Sequence, residues 1–371
     1  MSRSAPIQNE YMPDYVSPPG ETLKETLDAL GMAQAELAKR TGRAKKTINE
    51  IIMGKAPITP KVALELEKVL GVPAGFWNSL ESHYRESLAR REEQNHLQEH
   101  LEWLKAIPVR AMVKPGWIQP FRNKIQQLQE LLKFFGISSP DQWENLAESY
   151  IGQVVFRKSE AFQSNPAALI AWLRRGEIEA KHIPCAPYDS RKFRAALQSI
   201  RLLVSEDPKV FEPEMVRLCA ASGVAVVFVP ELPKTHVSAA TRWLTPNKAL
   251  IQLSLRYKTD DHLWFSFFHE AGHLVLHGKK DVFLDGSQVG GDGTKEQEAN
   301  RFAANLLISQ VEFRAFVKAG RLTKEAIRRF ASDIGIAPGV VVGRLQHDGI
   351  LPRSHCNDLK RRFDWADQQQ D

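Results

Sequence analysis

The run His269-Glu270-Ala271-Gly272-His273 sets two imidazoles four residues apart, with a carboxylate directly after the first. On an α-helix, residues four apart lie on one face about one turn from each other, so both rings can address one ion. Imidazole nitrogens are common zinc ligands. A carboxylate next to the first His can take a proton from a water that the metal activates. H-E-x-x-H between Leu263-Trp264-Phe265-Ser266-Phe267-Phe268 and Leu274-Val275-Leu276 is therefore the pattern of a zinc hydrolase that cuts amide bonds. In this reading His269 and His273 hold Zn2+ and Glu270 is the general base.

Two histidines are too few, because a catalytic zinc takes three protein ligands and keeps a position for water. The next helical stretch, Lys295 to Leu307, offers Glu296 and Glu298. Its apolar residues Ala299, Phe302, Ala303, Leu306 and Leu307 define a buried face. Glu296 stands three residues before Ala299 on that side, whereas Glu298 is rotated from it by about 200°. Glu296 is the preferred third ligand over Glu298, and Asn300, one turn on, is placed to support the ligand shell. His277 repeats the four-residue spacing and reads as a C-terminal His facing the helix dipole. For the oxyanion, His236, Arg256 and Tyr257 are candidates by proximity in the chain alone. The strand Ala249–Ser254, if at a sheet edge, would take an extended substrate by strand addition.

A second chemistry sits near the start of the chain. Between Lys39 and Lys61 there are seven basic residues and one acid, Glu50, which accounts for the whole net charge of +6. A positive field confined to one short stretch points to a polyanion. Gln34 to Thr41, a turn at Gly42-Arg43, and Ala44 to Met53 form a helix-turn-helix pattern in which Leu37, Ala38, Ile48 and Ile51 pack the helices together. That leaves Arg43, Lys45, Lys46, Thr47 and Asn49 for base edges in a major groove, with Gln34 on a phosphate. A second such hairpin, Thr323 to His347, reads instead as a cap on the hydrolase part.

The elements that must position these residues are mostly helices. Residues 1–19 read as a flexible arm, 20–95 as the helix-turn-helix domain, 96–210 as a helical connecting region, 211–350 as the metallopeptidase domain and 351–371 as a tail that frays from Lys360. Short helices at Gly20–Leu30, Met32–Thr41, Ala44–Met53 and Pro60–Leu70 end near glycines, and Asn78–Lys105 is a longer charged helix. The tryptophans at 103, 117, 143 and 172 belong to a core. Gly223–Pro230 is an apolar strand, and the segments around Thr245–Lys248 form a hairpin. Asp260 and Asp261 suit the positive end of the following helix dipole. That helix stops at Gly278, before a Gly-rich loop from 286 to 293. The fold class is thus mostly α with a small antiparallel sheet (α+β): a helix-turn-helix bundle and a zincin-like domain.

With 43% hydrophobic and 25% charged residues, the 371-residue chain has the composition of a globular protein. It has no apolar run near the ~20 residues of a membrane helix, so no membrane partner is expected. Its three cysteines, Cys185, Cys219 and Cys356, are scattered, and its first twenty residues lack an apolar signal core. A reducing cytoplasm is the expected location.

Phe267-Phe268-His269-Glu270-Ala271-Gly272-His273 with Glu296-Gln297-Glu298-Ala299-Asn300-Arg301-Phe302-Ala303-Ala304 resembles the ImmA/IrrE-type metallopeptidases over roughly residues 215–345. In that family a glutamate four before the Asn looks like the third ligand, which agrees with Glu296. Where the family helix often ends Glu-Leu-Leu-Met-Pro, this one reads Asn305-Leu306-Leu307-Ile308-Ser309, without touching a proposed ligand. Residues 8–80, with Pro18-Pro19-Gly20-Glu21-Thr22-Leu23 and Gly54-Lys55-Ala56-Pro57-Ile58-Thr59, are similar to the HigA-type antitoxin branch of helix-turn-helix regulators. The resemblance implies a cytoplasmic bacterial regulator that binds operator DNA and cleaves a repressor or antitoxin, with a toxin and a second copy of the chain as further partners. The alternative is a non-catalytic HigA-type antitoxin or transcription factor whose zinc domain is a sensor or a structural module.

Overall fold

Proline and glycine set the ends of the first helices. Helix α1 is Pro19–Ala29, α2 Gln34–Thr41, α3 Lys45–Ile52, α4 Pro60–Leu70 and α5 Ala74–Glu99. Pro60 opens α4 behind the Thr59 hydroxyl, which accepts from the Val62 N–H, and Gly42 ends α2 in the left-handed region at φ 69°. The five helices surround Leu23, Leu37, Ile48, Ile51, Leu66 and Trp77, each almost wholly buried. A Cβ on Gly20 would lie 2.1 Å from the Ile51 carbonyl oxygen, so α1 can meet α3 only through a glycine. Helix α5 starts at Ala74 rather than Asn78, because Trp77 in its first turn belongs to this core. It gives way before Lys105 to a short 3-10 turn, Leu101–Lys105.

The computed structural model describes residues 17–151, 166–277, 283–285, 293–320 and 322–365. Most of the expected arm, the stop at Gly278, the Gly-rich loop up to residue 292 and the last six residues lie outside them. The chain divides into two units, Met1–His100 and Leu101–Asp371.

The second unit runs α6 (Val109–Val113), α7 (Lys124–Phe135), α8 (Trp143–Ile151), α9 (Pro166–Lys181), α10 (Ser190–Arg201) and α11 (Pro208–Ala220). Strands β1 (Val224–Phe228), β2 (Ala239–Thr245) and β3 (Lys248–Leu253) follow, then α12 (Asp260–Leu276), β4 (Phe283–Asp285), α13 (Gly293–Leu307), α14 (Gln310–Lys318), α15 (Lys324–Asp333) and α16 (Pro338–His347). The expected hairpin forms as β2 and β3, but the sheet is mixed rather than antiparallel. Its order is β1-β3-β2-β4, with β1 parallel to β3 and the other pairs antiparallel. The second arm of the hairpin inserts beside β1, so Ala249–Leu253 lies in the middle of the sheet. Its backbone is paired on both sides, and the expected edge for strand addition is not there.

Successive strand residues point to opposite faces, and here both faces are covered. Val224, Val226, Ala249 and Ile251 join a core with Trp264, Phe267, Phe268 and Ala271 of α12. Ala225, Val227 and Leu250 join another with Met112, Leu131, Phe135 and Trp172. Trp117 is buried in this second core, and Trp103 and Trp143 pack against it. The 96–210 segment, expected to be a connector, therefore supplies one whole side of the sheet's core. This explains the uninterrupted apolar run at 224–229, which is the pattern of a strand buried on both faces.

The chain end is pinned rather than frayed up to Asp364. Lys360 Nζ lies 2.7 Å from Asp261 Oδ2, and the Arg361 guanidinium donates to the carbonyls of Val204, Ser205 and Glu206. The Arg361 carbonyl accepts the Asp260 N–H at 3.0 Å. The two acids at the head of α12 have partners that only the tertiary fold brings near.

Candidate metal centre and nucleic-acid interface

The apolar stripe of α12 fixes its rotation: Trp264, Phe267, Phe268 and Ala271 face the sheet. His269 and His273 are thereby held together on one side, each almost fully buried. A Cβ on Gly272 would meet Phe302 Cδ1 at 3.1 Å and Ala299 Cα at 3.3 Å. The glycine lets α13 cross this closely, and Glu296, one turn before Ala299, arrives at the His pair.

His269 Nε2 is 3.0 Å from His273 Nε2 and 3.2 Å from Glu296 Oε2, and His273 Nε2 is 3.4 Å from Glu296 Oε1. For a tetrahedral zinc with ligands at about 2.0–2.1 Å, the edge between ligands is about 3.3–3.4 Å. The trio has edges of that size.

The outer nitrogens set the tautomers. His269 Nδ1–H donates to Asn300 Oδ1 at 2.9 Å. His273 Nδ1 is 3.0 Å from His277 Nδ1, and His277 Nε2 is 3.1 Å from Glu298 Oε2. A carboxylate accepts, so His277 Nε2–H donates to Glu298, which leaves His277 Nδ1 to accept from His273 Nδ1–H. Both Nε2 lone pairs are thereby turned toward each other and toward the Glu296 carboxylate. Two lone pairs and an anion at this separation repel without a cation among them, which is what the donor set fits. Burial, first of all, pushes the His273 pKa down, toward the neutral ring that a metal needs. Burial alone would raise Glu296, but when His269 and His273 carry protons on Nε2 in place of a cation, their hydrogen bonds and charge outweigh it and hold the carboxyl at about 2.

Glu270 is fully buried on the same helix, and its backbone carbonyl faces the Thr241 hydroxyl of β2 at 3.5 Å. The three oxyanion candidates go elsewhere. Arg256 binds the His236 carbonyl, its guanidinium lies over the Tyr257 ring, and Tyr257 stacks on His262, two turns from His269. Asp260 also differs from its expected role. Burial, with Asp261 beside it, raises its pKa to about 6, so desolvation outweighs the favourable end of the dipole. His277, read as a dipole partner, and Glu298, set aside as a ligand, form the relay behind His273. Its only signal in the sequence is the repeat of the four-residue spacing at 277. The hairpin 323–347 does pack on the His helix: Ile327 and Ala331 of α15, and Val341 and Leu345 of α16, share the core of α12.

In the first unit, Leu37, Ala38, Ile48 and Ile51 are buried between α2 and α3, as their spacing predicts. Lys45, Lys46 and Asn49 are exposed, with Gln34 and Thr47 at intermediate depth. Arg43 does not stand with them. It forms a two-bond ion pair with Glu65 of α4, and that hydrogen bond is the first cause of the lowered Glu65 pKa.

The molecule thus couples a helix-turn-helix bundle with an α+β domain in which two crossing helices gather a His-His-Glu trio. Residues 23–77 match the helix-turn-helix family model and residues 219–346 match that of the IrrE N-terminal-like domain. An uncharacterized helix-turn-helix-type transcriptional regulator of Escherichia coli K12, YddM, is 34% identical over 74 residues, which are 20% of this chain and 77% of that protein. Among solved structures, an addiction module antidote protein of the HigA family from Coxiella burnetii is similar at 29% identity, covering 23% of this chain and 92% of that one, with a TM-score of 0.22. A putative antidote protein of a plasmid maintenance system from Nostoc punctiforme is also 29% identical, covering 22% and 91%, with a TM-score of 0.22. The chain belongs to the helix-turn-helix transcriptional regulators and carries an IrrE N-terminal-like domain in the same polypeptide. Among the described residues, no helix is long and apolar enough to cross a membrane.

Proposed function

We propose that this regulator is also a zinc-dependent endopeptidase, which cleaves a regulatory protein of the repressor or antitoxin type and reads operator DNA through α3. The observation that carries this reading is the meeting of His269 Nε2, His273 Nε2 and the Glu296 carboxylate within 3.4 Å of one another, next to the buried Glu270. Zinc bound there supplies Lewis acidity, which polarises the scissile carbonyl and acidifies a water. Glu270 accepts the proton of the attacking water on its carboxylate and returns it to the leaving amine nitrogen. Asn300 holds the His269 ring, and the His277–Glu298 pair holds the His273 ring, each with its Nε2 inward. Lys45, Lys46, Thr47 and Asn49 of α3 face the DNA, and a second copy of the chain provides the other half-site reader.

The test is to compare cell proteins by mass spectrometry in strains carrying the wild type and Glu270→Gln. The variant retains zinc and loses cleavage. Equal proteolysis in both strains rules the mechanism out.

The similarity of residues 23–77 to a transcriptional regulator supports a second reading, in which the metal domain only senses or stabilises. In that reading the first unit serves as an antitoxin to a toxin partner, and Glu270→Gln leaves regulation unchanged.

A further inference from the structure

One turn before His269 on α12 stands Phe265, and one turn after Glu296 on α13 stands Asn300. Both line the same cavity of about 330 Å³, which lies between α12, α13 and α16. Its apolar wall is Phe265, Ala304, Leu307, Ile308 and Val340, of which the last three are buried. The Phe265 ring stacks on His269 at 6.1 Å between centroids and on His347 at 6.3 Å, so this ring borders both the cavity and one residue of the trio. One helical turn is about 5.4 Å, which is the reach of a side chain from a peptide bond held at the centre.

The charges at the rim answer one another. Arg344 Nε donates to Asp348 Oδ2 at 2.8 Å, His347 Nδ1 lies 3.1 Å from Asp348 Oδ1, and Asp261 is paired with Lys360. The lip, with His262, Arg301, His347 and Asp348, is open to solvent. The floor therefore offers apolar surface to an uncharged group.

We propose that this cavity is a specificity subsite, which takes a large apolar side chain of the substrate residue flanking the bond to be cut. It rests on the peptidase reading, and it adds which substrates that site selects. The neighbourhood supports it from two sides. Each ligand-bearing helix supplies both a metal-facing residue and a cavity wall four residues away, so a chain anchored at the first is in register with the second. The residue shared between them, Phe265, is aromatic and presents carbon to the cavity.

The experiment uses full-length, zinc-loaded protein and four hydroxamates, which anchor on zinc and differ in what they carry: those of acetic, 3-methylbutanoic, 3-phenylpropanoic and succinic acid. Calorimetry gives each Kd. The 3-phenylpropanoic compound is expected to bind at least about tenfold more tightly than acetohydroxamate, the gain of burying one apolar side chain. Ala304→Trp fills the cavity and should erase that gain, with zinc content and acetohydroxamate affinity unchanged. Ala304→Leu, a smaller change that carries the test if the Trp variant fails to fold, should give an intermediate loss. The proposal is overturned if acetohydroxamate binds and the larger apolar compounds gain nothing, if the gain survives in both variants, or if the succinic compound binds best. Failure to take up zinc, or to bind even acetohydroxamate, would instead overturn the metal-site reading and the subsite with it.

Discussion

Two helix pairs carry the chemistry of this molecule, and they are built on opposite terms. Helices α2 and α3 bury the residues that hold them together and turn Lys45, Lys46 and Asn49 outward. Helices α12 and α13 bury the chemistry itself: His269, Glu270 and His273 are all within 3% of full burial. The first pair works through a field, which is additive and screened by salt, and no single charge is decisive. In the proposed metal site the second works through donor positions, and each atom matters. A surface that attracts a polyanion tolerates change, whereas a buried ion site does not.

The largest expected effect tests the second half of that contrast. Glu296→Ala removes the carboxylate and leaves two inward lone pairs, and should weaken zinc binding by more than about a hundredfold, above the usual 10–100-fold cost of outer contacts. Competition with a chromogenic chelator measures it, and a loss of a few fold would place the site among the tolerant ones.

Next is Asp260, at the buried head of the same helix. Its pKa rises from 3.8 to about 6 on folding, so the folded state binds the proton more tightly. Its contribution to stability is present at low pH and is lost as pH rises between about 4 and 6, by roughly 3 kcal/mol at full effect. Urea unfolding of wild type and Asp260→Asn across this range should show a difference that grows with pH in favour of the variant. A constant difference would mean that the carboxyl is not desolvated.

A smaller effect separates the ligand from what supports it. His277→Ala and Glu298→Gln should each lower zinc affinity about tenfold, and the double variant should lose little more than either single one, because the two residues act as one relay. Additive losses in the same chelator assay would sever that link.

The smallest effect belongs to the exposed pair. Lys45→Ala with Lys46→Ala should weaken operator binding by several fold and flatten the salt dependence by up to about 1.8 in logarithmic slope. Arg43→Ala should leave that slope almost unchanged, because Arg43 is engaged with Glu65. Equal slope changes at positions 43 and 45 would return Arg43 to the DNA.

What can be read from the chain follows the same division. His269 and His273 are one turn apart, and Glu296 follows from the apolar face of its own helix, so short-range periodicity is enough for the trio. The helices of the first unit end at Gly42 and Gly71, where local backbone preference decides. The mixed order of the sheet, the partner of Arg43 and the second core on Ala225, Val227 and Leu250 depend on segments tens of residues apart. No window of the sequence contains both sides of those contacts. The His277 relay falls between the two: the spacing is visible, but Glu298 reaches it only because Gly272 lets the helices cross.

The clasp at the far end of the chain has a consequence for handling the protein. Lys360 and Arg361 meet the two aspartates that open the His helix, although about a hundred residues separate them along the chain. A shortened version ending before Asn357 would keep every residue of the trio, yet leave adjacent negative charges facing each other at the start of the helix that bears them. Loss of zinc from such a fragment would report a missing counterweight rather than a missing ligand.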